Sequence, residues 1–138
     1  MVCCQTTVVI ANRKVDAIID TGAARTMLSA AWYEGVAEHL PPLQPCSANL
    51  RGAAGEVCDV QGQVELQFFL EGVPYFHPVV VSIMPCVEML IGIDFLYRHG
   101  AIIDCQLGRL IIKHQNITIR SYRLNTPLSV RVKENREI

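Results

Sequence analysis

One carboxylate stands apart from the other acids of this chain. Asp20 closes an apolar, β-branched run, Val15-Asp16-Ala17-Ile18-Ile19, and is followed at once by Thr21-Gly22-Ala23-Ala24 and then by the apolar pair Met27-Leu28. Such a run reads as a buried strand, so the acid is delivered into a tight turn pinned between two core elements. A carboxyl can take or give a proton, and one at the end of a hydrophobic strand is costly to bury unless it is hydrogen-bonded or put to chemical use. The competing reading is local, since Asp and Gly both favour turns for backbone reasons alone. On the tripeptide by itself the two readings stand level.

A second stretch shifts the balance. Met89-Leu90-Ile91-Gly92-Ile93-Asp94-Phe95-Leu96-Tyr97-Arg98-His99-Gly100 carries an apolar strand into Gly-x-Asp and then into a short helix. Between the two stretches, Leu50-Arg51-Gly52-Ala53-Ala54-Gly55-Glu56 reads as a glycine-bearing hairpin. Taken in this order the features resemble the retropepsin family, the single-domain aspartic proteases of retroviruses and LTR retrotransposons. The Gypsy type is the nearest look, followed by the protease-like domain of the DNA-damage-inducible ubiquitin shuttles. The resemblance runs from about residue 7 to residue 112.

That resemblance implies a mainly β, single-lobe acid-protease fold, closed like a barrel, with one or two short helices and a homodimeric assembly. It implies an aspartic endopeptidase acting on extended peptides or polyproteins. Peptide hydrolysis without a metal or a covalent intermediate needs one group to activate water and another to protonate the carbonyl. Two carboxyls sharing one proton do both, because like charges held that close cannot both ionise. This chain supplies only one Asp-Thr-Gly, and Asp16, Asp59, Asp94 and Asp104 lack such a sequel. The second carboxyl therefore has to come from a second copy, across a two-fold axis. The resemblance gives Asp20, Thr21 and Gly22 the catalytic loop. Ala23 and Ala24 fall to the floor of the substrate site, Arg51, Gly52, Ala53, Ala54 and Gly55 to a flap over the peptide, and Leu90 to a pocket wall. Ala23 stands where some members carry Ser, and Ala24 and Ile93 stand where many retroviral members carry an acid and its Arg partner. Both members of that pair are missing together, so no lone buried charge results. The alternative is a domesticated copy that keeps the fold as a dimerisation or peptide-binding module.

Composition fits one domain. The 138 residues are 51% hydrophobic and 18% charged, with a net charge of -1. Such a chain can build a core, yet it is small enough that a second copy would help bury surface. The even charge gives no reason to expect nucleic acid, no run approaches the length of a membrane span, and no secretory leader is apparent. Six scattered cysteines without Cys-x-x-Cys spacing suit reduced thiols in the cytoplasm better than a disulfide framework. His39, His77, His99 and His114 lack metal-ligand spacing, so neither a metal nor another cofactor is expected.

The elements that must position the acid follow from pattern. Residues 7–10 and 15–19 read as a hairpin around Ala11-Asn12-Arg13-Lys14. Ser29 caps a helix over 30–39, whose Trp32, Val36 and Leu40 share a core-facing stripe. Pro41 and Pro42 end it. A long strand over 57–70, alternating at Val64, Leu66 and Phe68 and interrupted by Gly62, turns at Glu71-Gly72 into 73–83. Asp94 reads as the cap of a helix over 95–99, and 101–104 with 109–112 as a last hairpin around Leu107-Gly108, with 117–120 as a possible added strand. The protease domain is thus placed at 1–120. The polar stretch 121–138 is left open between a solvated tail and a segment that pairs with a partner.

Overall fold

The computed structural model describes residues 2–46, 50–52, 58–113, 115–123 and 132–134. The hairpin at the start of the chain joins β1 (Val2–Ile10) to β2 (Arg13–Ile19). Its loop is shorter than the sequence pattern suggests. Arg13 and Lys14 pair with Ile10 and Val9, leaving only Ala11 and Asn12 in the turn, both at positive φ (51° and 62°). A two-residue turn of that hand matches the twist of the flanking strands, and Asn tolerates it well.

After the Asp20 loop come β3 (Met27–Ser29), α1 (Ala30–Val36) and one 3₁₀ turn (Ala37–His39). Ser29 caps α1 as expected, its Oγ accepting from the Trp32 amide at 3.3 Å. The core-facing stripe is carried by Val36 with Trp32 and Leu40 partly buried. Tyr33, which the stripe omits, is buried too and donates its hydroxyl to Pro41 O at 2.6 Å.

β4 (Leu50–Gly52) precedes the long ribbon of β5 (Val60–Leu70) and β6 (Val73–Ser82), which turns at Glu71 and Gly72, both at positive φ. Val64, Leu66 and Phe68 face inward as their alternation requires, and the register slips between Val60 and Gly62. Gly62 has no room for a side chain, since a Cβ there would lie 2.8 Å from Gln44 O. The chain continues through β7 (Met89–Ile91), α2 (Ile93–Arg98), β8 (Ile102–Asp104), β9 (Arg109–Ile112), β10 (Gln115–Thr118), β11 (Arg120–Arg123) and β12 (Val132–Glu134).

Six strands close on themselves in the order β1-β2-β7-β3-β6-β5, with Val8↔Leu70 and Val9↔Phe69 completing the ring. β11 adds to the outer side of β1, β8–β10 make a separate three-stranded sheet, and β12 pairs with β4. The four strands at the centre are buried on both faces. Ile18, Leu90, Met27 and Val80 lie opposite one another across β2, β7, β3 and β6, and all four join a small cluster with Ala23, Leu50, Met84 and Val87. Their neighbours Ala17, Met89, Leu28 and Val81 form the adjacent row and point into the main core with Phe68 and Phe95. Double burial is why these strands read as unbroken apolar runs rather than alternating ones.

Candidate active site

The Asp20 loop lies where the parallel strands β2 and β7 both end. Asp20 is 1% exposed; its amide donates to Ile91 O at 2.9 Å and its Oδ1 accepts from the Gly22 amide at 2.9 Å. A further bond from the Ala23 amide to Asp20 O, 3.1 Å, closes the turn. Thr21 is exposed and Gly22 half-buried on the single chain, while Ala23 and Ala24 are buried.

Residues 20–26 are stitched to residues 91–94 along their length. Ile93 N donates to Ala23 O at 2.8 Å, and Gly92 N donates to Thr26 Oγ1 at 3.1 Å. Gly92 is held so tightly against the loop that a Cβ would sit 2.6 Å from Arg25 C and O and 2.7 Å from Ala23 O. Glycine is required here for close approach, since its φ is ordinary.

Asp94 completes the seam, and its role differs from the cap expected of it. The N-cap of α2 is Gly92, and Asp94 lies in the first turn with its carboxylate directed back at the loop. Oδ1 accepts from Thr26 Oγ1 at 2.7 Å and from the Phe95 amide at 2.7 Å; Oδ2 accepts from the Thr26 amide at 3.0 Å and faces His77 Nε2 at 3.1 Å. Arg25 Nε stands 3.8 Å from Oδ2. Burial acts to raise the Asp94 pKa, but hydrogen bonds from His77 and Thr26, with the charge of His77, outweigh it and hold the carboxyl below its ordinary range.

Of the residues singled out for a substrate site, Ala23 and Leu90 come together, and Arg51 and Gly52 follow Leu50 of the same cluster. Leu90 is buried in the small cluster with Ile18, Ala23 and Leu50. Arg51 and Gly52 belong to β4, whose base is joined to the returning chain by the bond from Cys58 N to Leu50 O at 3.0 Å. Ala53, Ala54 and Gly55, the tip of the expected flap, lie outside the described residues. Beside β2 a cavity of about 180 Å³ is lined by Gln5, Asp16, Ile18, Cys86, Val87 and Glu88. Among the described residues no three His, Cys, Asp or Glu side chains gather as a metal site, and no helix is long and apolar enough to cross a membrane.

Sequence reasoning missed Thr26, His77 and the true task of Asp94. A signal for His77 was present: it stands in phase with the inward-facing Val79 and Val81 of β6, where a polar ring needs a partner.

A barrel of six strands, an acid on a turn at the shared end of two parallel strands and a Gly-x-Asp seam beneath it define the retropepsin-like aspartic protease fold. The profile of the family described as "gag-polyprotein putative aspartyl protease" matches residues 6–98, and the chain belongs to that family. Among solved structures it is similar to the retroviral protease-like domain of Ddi1 from Leishmania major, with a TM-score of 0.69 and 21% identity, covering 86% of this chain and 94% of that one. It is also similar to the EIAV protease complexed with the inhibitor HBY-793, with a TM-score of 0.60 and 20% identity, covering 72% and 90%. A search of curated proteins returns no match.

Proposed function

We propose that the chain is an aspartic endopeptidase of retroelement descent, working in the cytoplasm as a homodimer whose two Asp20 carboxyls form one site. The observation that carries this reading is Asp20 itself, a carboxylate 1% exposed on a loop that a hydrogen-bonded seam holds in place. A chain with one such loop completes a two-carboxyl site only with a second copy. One carboxyl, ionised, takes the proton from water; the other, neutral, gives its proton to the peptide carbonyl. An extended peptide would add as a strand between the loop and the hairpin expected from the sequence at 50–57, backbone bonds giving affinity and apolar pockets giving choice. Closing that hairpin would exclude water from the reaction. The cavity bordered by Ile18 and Val87 offers room for a side chain next to the strand that carries Asp20. Cys46, Cys86 and Cys105 are free thiols, which suits a reducing compartment.

A second reading is favoured by the likeness to the Ddi1 domain: a domesticated copy that keeps the fold as a dimerisation or peptide-binding module. Subunit mixing separates the two. Asp20→Asn keeps the size and most hydrogen bonding of the acid and should give an inactive dimer. Exchanged with the native chain above the dimer dissociation constant, it forms heterodimers with one ionisable carboxyl. Activity per total protein should then fall as the square of the native fraction. A straight line would overturn the shared site, and a native dimer that binds peptides without cutting any of a broad library would favour the second reading.

A further inference from the structure

His77 is 3% exposed and packs edge-on against Phe95, ring centroids 5.3 Å apart at 82°. Its Nδ1 is buried with no hydrogen-bond partner among the described residues. As packing alone this is a poor choice, because an apolar side chain fills such a space without burying an unpaired nitrogen. An imidazole adds one thing an apolar side chain lacks, an Nε2–H directed at Asp94 Oδ2 3.1 Å away. Since that nitrogen faces a carboxylate oxygen, which can only accept, Nε2 is the donor of the pair.

The bond falls on the oxygen that grips the loop. Oδ2 receives the Thr26 amide, and the guanidinium nitrogen Arg25 Nε is at 3.8 Å, beyond hydrogen-bonding distance. We propose that His77 is a positioning residue for the Asp20 loop: it fixes the plane of the Asp94 carboxylate, which fixes Thr26, which sets the spacing between residues 20–26 and 91–94. From Thr26 the connection continues through its hydroxyl to Gly92 N, and the bonds from Ile93 N to Ala23 O and from Asp20 N to Ile91 O are the next rungs. His77 touches no reacting atom in this scheme. The inference rests on reading Asp20 as a catalytic acid, though its structural half stands without that reading.

The test compares three variants of the whole chain by peptide cleavage and by amide hydrogen exchange at Gly22, Ala23 and Thr26. His77→Leu fills the space without a donor; His77→Gln places an amide N–H near the position of Nε2; His77→Asn places one nearer Nδ1, out of reach of Asp94. His77→Leu should keep dimer mass and KM while kcat drops roughly 10- to 100-fold, as for a small misplacement of a reacting group. Exchange at Thr26 should accelerate alongside. His77→Gln should restore both readouts to within a few-fold of native, and His77→Asn should restore neither. A leucine variant with native kcat and native Thr26 exchange overturns the inference. If that variant does not fold, equal behaviour of the Gln and Asn variants overturns it instead. If the native chain cleaves no peptide, the enzymatic reading fails on its own, and Thr26 exchange alone decides the positioning role, unchanged exchange overturning it.

Discussion

The β5–β6 ribbon and the seam beneath Asp20 are built on opposite plans. Beyond its slip at Val60–Gly62, the ribbon repeats one unit, a cross-strand pair, from Gly62↔Val81 to Leu70↔Val73. Any single pair adds a modest amount, and neighbours compensate for its loss. The seam has no such repeat: between 20–26 and 91–94 two backbone bonds stand beside side-chain bonds of several kinds, and two of these share one atom, Thr26 Oγ1. Redundancy makes a region stable, whereas singularity makes it geometrically exact and easy to spoil. Stability and site geometry should therefore respond to different substitutions.

The largest loss of stability should come from the ribbon. Leu70 is fully buried in the main core, and Leu70→Ala should cost about 2–5 kcal/mol in urea denaturation. Because Leu70 lies at the far end of the ribbon from Ser82, the fraction still folded should cleave peptide at the native rate. Gly92→Ala should cost less, about 1–3 kcal/mol as overpacking, yet remove nearly all activity. The new Cβ meets backbone of Arg25 and Ala23, so relief comes only by moving the loop that holds Asp20. If Leu70→Ala lowers kcat more than Gly92→Ala does, the contrast between the regions is wrong.

The smallest of these effects carries a pH signature. Asp94→Asn removes one acceptor and turns an NH2 toward a donor, which should cost on the order of 1–3 kcal/mol at neutral pH. The folded-state pKa of Asp94 lies below its ordinary 3.8, so its contribution is complete above that value and lost as pH falls through the lower one. The gap between native and variant chains in denaturation midpoints should be constant from pH 7 to about pH 5 and narrow below pH 4. A gap that persists unchanged at the lowest pH where the chain still folds would show that the carboxylate charge plays no part in the seam.

What could be read from the sequence follows the same division. The ribbon was legible because Val64, Leu66 and Phe68 repeat at the strand period, and Glu71-Gly72 marks its turn. The acid and the Gly-x-Asp stretch were legible as a pair, each an apolar strand ending in a distinctive turn. What joins them was not. Asp94 was read as a cap because a helix follows it at once, and local spacing does not reveal that its carboxylate reaches back to Thr26, 68 positions earlier. Tyr33 escaped because it flanks the Trp32–Val36 stripe rather than lying on it. The pairing of β12 with β4 joins two three-residue strands roughly 80 positions apart, too short to show a period that could be followed.

The strand that starts the barrel has a history in time as well as a place in space. β1 pairs with β2 on one side, and on the other it is shared between β5 at Val8 and Val9 and β11 from Val2 to Gln5. Gln5 meets Arg120, so 115 further residues must be synthesised before that part of its outer edge has its partner. At ribosomal speed the interval is roughly 6–23 s. A nascent chain thus carries an unpaired strand edge until Arg120 has been made, in the form that neighbouring copies on the same message could capture. Adding β11 to β1 consequently follows the synthesis of all six barrel strands, and its timing is set by translation as much as by the rate at which strands find one another.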